Sequence, residues 1–148
     1  MSTKDFAYTF TIDQSPKQAF DVIKDVRSWW SGLYSEEIHG HTDQLGEEFT
    51  FRAGGDVHYS KQKLVELIPD QRLVWLVTES RLSFLEKQNE WTGSKLIFDI
   101  SRKGNKTEVR FTHQGLVPQI ECHGACSDAW TRYLKEKLQP LIANATKG

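Results

Sequence analysis

The chain has 148 residues and carries nineteen basic against twenty acidic side chains, a formal charge of -1. That balance offers no basic stripe for nucleic acid, and no apolar run of about 18 residues exists to span a bilayer. A single domain over residues 1–148 is expected, burying roughly two-thirds of the surface its unfolded chain exposes.

The opening MSTKDFAYTF lacks the apolar centre of an export signal, and two cysteines complete the sequence's thiol content. Both features point to a cytoplasmic protein with reduced thiols. Aromatic residues form 11% of the chain, five of them tryptophan, enough to wall an interior or a groove.

Phe6, Tyr8, Phe10 and Ile12 alternate with Ala7, Thr9 and Thr11 and predict a first strand. Ser15-Pro16 opens a helix, with serine as cap and proline at the first helical position. Ala19, Phe20, Val22 and Ile23 form its apolar side. A second short helix carries Val26, Trp29 and Trp30 up to Gly32. Adjacent tryptophans on a helix point in different directions, so one faces inward while the other covers an edge or a cavity mouth.

Phe49 and Phe51 alternate with Thr50 and Arg52, and Gly54-Gly55-Asp56 signals a tight turn. Lys63–Ile68 and Arg72–Thr78 read as a strand pair. Val65, Leu67, Leu73, Trp75 and Val77 make its expected inward row. The segment from Glu79 to Trp91 fits a broad loop, an irregular strand or a flap holding Leu82, Phe84 and Leu85. Leu96, Phe98 and Ile100 mark a long strand, and Thr107, Val109, Phe111 and His113 share one face of the last.

From about Gln119 to Ala145 apolar residues recur at helical spacing: Ala125, Cys126, Ala129, Trp130, Tyr133, Leu134, Leu138, Leu141 and Ile142. Pro140 predicts a kink or break near Leu138. A one-sided helix of this length needs a broad apolar surface. The strands preceding it supply one. The expected fold class is α+β: a curved antiparallel sheet of six to seven strands around a long C-terminal helix, with two short helices after the first strand.

Signals for chemistry are weak. No GxSxG, GxGxxG or Walker segment occurs. Cys122, His123 and Cys126, with His113, are the best zinc candidates, yet free thiols are the simpler reading. His39 and His41 near Glu36 and Glu37 read as exposed edge residues. His113 continues an inward row, where it satisfies a neighbouring group or serves a ligand. Trp29, Phe51, Trp75, Phe98, Phe111, Trp130 and Tyr133 fit inward positions on separate elements. That set suits either a filled core or a pocket wall with His58, Tyr59, Arg72 and His113 as polar contacts. These eleven residues are the candidate ligand site. No catalytic residue, metal or cofactor is assigned.

The segments FTIDQSPKQAFDVIKDVRSWW, KLVELIPDQRLVWLV, TEVRFTHQGL and ACSDAWTRYLKEKL together resemble the START/Bet v 1-like (SRPBCC) superfamily. Within it the chain is most similar to bacterial proteins like the C-terminal domain of the activator of Hsp90 ATPase. The resemblance spans about Phe6 to Leu141. It implies a helix-grip fold, often enclosing a hydrophobic cavity for lipids, polyketides or aromatic molecules. His113 and Trp130 occupy pattern positions. Ala129 stands where relatives often have glycine, which narrows the space beside Trp130.

Three functions follow as expectations. The leading one is non-catalytic binding of a small hydrophobic, aromatic or lipid-like molecule between sheet and helix. The second is a cyclase-like or hydratase-like enzyme using His58, Tyr59, Arg72 and His113. The third is a co-chaperone or stress-response protein, with chaperone or homo-oligomer contacts through an apolar patch at Trp30, Trp91 or Leu82–Leu85.

Overall fold

The computed structural model describes residues 5–55, 57–117, 120–121 and 123–144. Strand β1 (Phe6–Ile12) leads into helices α1 (Pro16–Lys24) and α2 (Val26–Trp29). Six strands follow: β2 (Glu37–Gly40), β3 (Glu48–Ala53), β4 (His58–Ile68), β5 (Arg72–Leu82), β6 (Lys95–Lys103) and β7 (Lys106–Gln114). The chain then forms α3 (His123–Arg132), a π-helical segment (Tyr133–Leu138) and α4 (Gln139–Ala143).

The seven strands form one antiparallel sheet in the order β1-β7-β6-β5-β4-β3-β2. This is the expected helix-grip arrangement. The start of α1 is as predicted: Ser15 and Gln18 form a reciprocal capping box, with Pro16 in the first turn, so orphan helix donors are satisfied at the N-terminus.

Two irregularities bend the sheet. The register shifts between Leu64 and Glu66, leaving Val65 as the extra residue, and again beside Gln62, where Thr78 is extra on β5. Bulges raise local twist and reverse which residues face inward. Ser60, Gln62 and Leu64 are therefore buried on β4, whereas Val65 is 40% exposed. The expected inward row is corrected at Val65: an unbroken period of two cannot anticipate the bulge. On β5 the buried set passes from Leu73, Trp75 and Val77 to Ser80 and Leu82.

The C-terminal helix begins at His123 rather than Gln119, and it does not break near Leu138. Pro140 cannot donate a backbone hydrogen bond. The turn ahead of it is wound wider, with Gln139 N–H reaching Leu134 O. The added residue keeps Trp130, Tyr133, Leu134, Leu138 and Ile142 all buried, which a uniform 3.6-residue repeat does less well.

One end of the interior is solid. There α1 packs on β6 and α4, and α4 on β1. Phe98 lies 5.6 Å from Trp29, 6.2 Å from Trp75 and 4.9 Å from Phe111 between ring centroids. Within these aromatic distances the rings fill the core.

Candidate functional site

The other end is open. A cavity of about 300 Å³ lies between the first half of the C-terminal helix and the sheet. Trp30, Phe51, His58, Trp91, Trp130 and Tyr133 supply its larger walls, and Ala53, Gly54, Ala125, Cys126 and Ala129 leave the room. Tyr34, Val57 and Phe84 complete the lining from three loops and remain 38%, 46% and 49% exposed.

The aromatic walls are mutually ordered. Trp30 stacks on Phe51 at 3.8 Å and on Trp130 at 5.0 Å, and Trp91 lies nearly parallel to Trp130 at 5.9 Å. Trp29 and Trp30 are both buried. They diverge as the helical spacing requires: Trp29 joins the solid core and donates its indole N–H to Ile23 O, while Trp30 lines the cavity.

Three loops at the mouth are tied together. Gly54 N–H donates to Tyr34 O at 2.7 Å, and Ser83 N–H to Val57 O at 2.9 Å. Glu36 accepts the hydroxyl of Tyr133 and the backbone N–H groups of Leu33 and Tyr34. Burial alone would raise the Glu36 carboxyl. Those hydrogen bonds outweigh it and hold the group below its ordinary value. Burial and the bond to Glu36 together push the Tyr133 phenol well above the usual tyrosine range. Arg132 donates to the Tyr34 hydroxyl at 3.0 Å. The helix is thus fastened to the loop that carries Tyr34.

His113 is fully buried beside the cavity rather than in its lining. Its Nδ1 accepts the indole N–H of Trp130 at 3.0 Å, and its Nε2 lies 2.8 Å from Ser94 Oγ. An indole is only a donor, so Nδ1 is bare and the neutral ring carries its proton on Nε2. Nε2–H then donates to Ser94, whose hydroxyl donates to Trp91 O at 2.6 Å. Burial, with a smaller contribution from His58, pushes His113 down to about 3. Both ring nitrogens are engaged with protein partners.

His58 differs. It is half-buried, it lines the cavity, and its ring packs edge-on against Phe51 at 5.1 Å and Trp91 at 4.6 Å. Burial pushes it down to about 3 as well. Its Nε2 lies 3.2 Å from Ser60 Oγ, which accepts Gln62 Nε2–H at 2.6 Å.

Of the eleven residues picked from the sequence, the cavity collects Phe51, His58, Trp130 and Tyr133. Trp29, Trp75, Phe98 and Phe111 belong to the solid core. Tyr59 bonds Glu79 and lies under Arg52 and Arg81. Arg72 pairs with Glu66 and Asp99. Neither lines the cavity. The polar groups of the enzyme reading therefore do not converge, since His58 alone of the four lines the cavity. Of the patch expected at Trp30, Trp91 or Leu82–Leu85, Trp30, Leu82, Leu85 and Trp91 are buried, and Phe84 is its exposed apolar residue.

The eleven residues omit two walls of the cavity, Trp30 and Trp91, which the sequence offered for an exposed patch, and the small residues, which create space by lacking bulk. His39 is exposed beside Glu37, and His41 is exposed too. Among the described residues no group of three or more histidine, cysteine or acidic side chains is placed to hold a metal. The expectation of reduced thiols is corrected at Cys126, which is disulfide-bonded. The helix expected from about Gln119 would carry both cysteines, whereas α3 starts at His123; Cys122 lies outside the described residues. No helix among the described residues is long and apolar enough to cross a membrane.

Comparison with known proteins agrees with this architecture. The Aha1 dimer from Colwellia psychrerythraea superposes with a TM-score of 0.73 at 20% identity, covering 97% of this chain and 99% of that one. A protein from Chromobacterium violaceum gives 0.70 at 14% identity over 96% and 99% of the two chains. One from Arthrobacter aurescens gives 0.71 at 9% identity over 99% and 94%. At such identities the likeness is one of fold. No curated protein matches the chain. The fold carries an apolar groove of the kind that receives a hydrophobic molecule or engages another protein. The family described as Activator of Hsp90 ATPase homolog 1-like protein matches residues 13–143, and the chain belongs to it.

Proposed function

We propose that the protein binds a small hydrophobic molecule, aromatic or lipid-like, between its sheet and C-terminal helix. The observation supporting this reading is the cavity of about 300 Å³ walled by stacked aromatic side chains. Its size lies at the lower end of ligand pockets, and its lining is mostly apolar with few polar contacts, as such sites require. Native mass spectrometry of gently purified protein tests it. A bound small molecule released on denaturation supports the reading. Protein that stays unliganded and takes up no apolar compound argues against it.

A second reading is contact with another protein. Tyr34, Val57 and Phe84 expose apolar surface around one mouth, and exposed apolar clusters mark interaction sites. The family description names an activator of a chaperone ATPase, and the Colwellia relative is described as a dimer. The comparisons speak more directly for this reading than for a small ligand. Stimulation of a purified Hsp90-type chaperone's ATPase, lost in Phe84→Asp, supports it; an unchanged ATPase rate argues against it.

A further inference from the structure

The two edges of the sheet are built differently. β1 stands at one end of the strand order and β2 at the other. An edge strand presents unpaired backbone groups that can pair with another strand, and proteins block them with charge, short length, proline or bulges.

The β2 edge is blocked. It is four residues long and carries Glu37 and His39. His41 N–H donates to Glu48 O at the start of β3, so by alternation Ile38 and Gly40 turn their backbone groups outward. Arg27 covers both carbonyls, its guanidinium donating to Ile38 O at 3.3 Å and to Gly40 O at 2.7 Å.

β1 has none of these devices. Its seven residues, FAYTFTI, include no charge, proline or glycine. Its register with β7 runs unbroken from Phe6 to Ile12. Phe6 N–H donates to Leu116 O, on the β7 side. Alternation then gives Ala7, Thr9 and Thr11 the outward amides and carbonyls. All three residues are exposed. Beyond the ladder with β7, no backbone hydrogen bond among the described residues reaches them.

The outward set is also self-complementary. In an antiparallel pair with a two-fold axis at Thr9, Ala7 stands opposite the partner's Thr11, and Thr9 opposite the partner's Thr9. Every outward N–H then meets an outward carbonyl. The same axis sets the half-buried Tyr8 against the partner's Phe10 and the half-buried Phe6 against the partner's Ile12, aromatic and β-branched pairs of the kind that stabilise sheets. Asp5 comes opposite the partner's Asp13, but each carboxylate is engaged, Asp5 by Gly115 N–H and Asp13 by Lys106.

We propose that β1 is a homodimer edge: two copies pair β1 to β1 about a two-fold axis at Thr9, continuing the sheet from one protomer into the other. No β1 residue lines the cavity, so this contact is separate from the mouth at Tyr34, Val57 and Phe84 and depends on neither functional reading. Stable interfaces use about 20–30 residues a side. An edge of seven residues makes a weak dimer that forms as concentration rises.

Sedimentation equilibrium from about 10 μM to about 1 mM tests it, a range matched to a small interface. A shift from monomer toward dimer is expected, with slower hydrogen exchange of the Ala7, Thr9 and Thr11 amides at the higher concentrations. Thr9→Pro removes an outward donor where an edge strand tolerates proline and should weaken the dimer roughly tenfold or more. Thr9→Lys keeps the backbone and sets like charges opposite one another at the axis; it should weaken the dimer as well. Protein that stays monomeric throughout overturns the proposal. So does a dimer that both variants retain, or one that is lost in Phe84→Asp and kept in Thr9→Lys, which puts the contact at the cavity mouth instead.

Discussion

The indole N–H of Trp130 donates to Nδ1 of His113 at 3.0 Å, joining the C-terminal helix to the strand beneath it inside a fully buried contact. This bond fixes the histidine tautomer and so orients Ser94 toward Trp91 O. Trp130→Phe keeps most of the ring but leaves Nδ1 unpaired. A loss of about 1–3 kcal/mol is expected for an orphaned buried acceptor, read as a lower urea midpoint with an unchanged slope.

The same contact predicts a pH dependence. His113 titrates near 3 when folded, against 6.5 for the ordinary group. Between those values the unfolded chain binds the extra proton, so stability rises with pH. It is fully present above about 6.5 and lost as pH falls toward 3. The slope from His113 is about 1.4 kcal/mol per pH unit. His58 shifts in the same direction and contributes less, because it is partly exposed. Denaturation midpoints measured from neutral to mildly acid pH should fall more steeply in the unaltered protein than in His113→Gln.

Glu36 and Tyr133 predict a coupled pair. Their hydrogen bond fastens the mouth loop to the helix, at a site only half removed from solvent. A double-mutant cycle with Glu36→Gln and Tyr133→Phe should return a coupling of roughly 1 kcal/mol. Hydrogen exchange should quicken at the Leu33 and Tyr34 amides in Glu36→Gln, because a neutral amide is the weaker acceptor.

Gly40 predicts a backbone failure. Its φ is +114°, and an added Cβ would stand 2.4 Å from Glu48 O and 2.8 Å from Phe49 Cα. Neither neighbour is a flexible side-chain end, so β2 and β3 must separate at that point. Gly40→Ala should cost roughly 2 kcal/mol or more. Gly46→Ala, with nothing within 4 Å of the added carbon, carries only the conformational penalty of its positive φ and is the milder control.

Much of this fold was legible because it is local. Phe10 and Ile12, and Val109, Phe111 and His113, alternate without interruption and are buried as their spacing requires. Ser15 and Gln18 announce their helix by position. Legibility stopped where one residue changed the phase: Val65 and Thr78 are bulges that only strand pairing creates. The inward face of β4 also hid behind Ser60 and Gln62, polar residues that are buried and hydrogen-bonded to one another once folded. The cavity was harder still. Aromatic residues could be picked out, but the space depends on Ala53, Gly54, Ala125 and Ala129. A missing side chain has no signal until its neighbours are placed.

The tryptophan indoles give the most direct test of the central claim, because the five divide between the two ends of the interior. Trp30, Trp91 and Trp130 line the cavity, whereas Trp29 and Trp75 do not. Titration with acetylnaphthalene, a small aromatic probe, should shift the three cavity indole N–H resonances saturably and leave those of Trp29 and Trp75 in place. No saturable shift, or equal shifts at all five, would contradict a binding site between the sheet and the C-terminal helix.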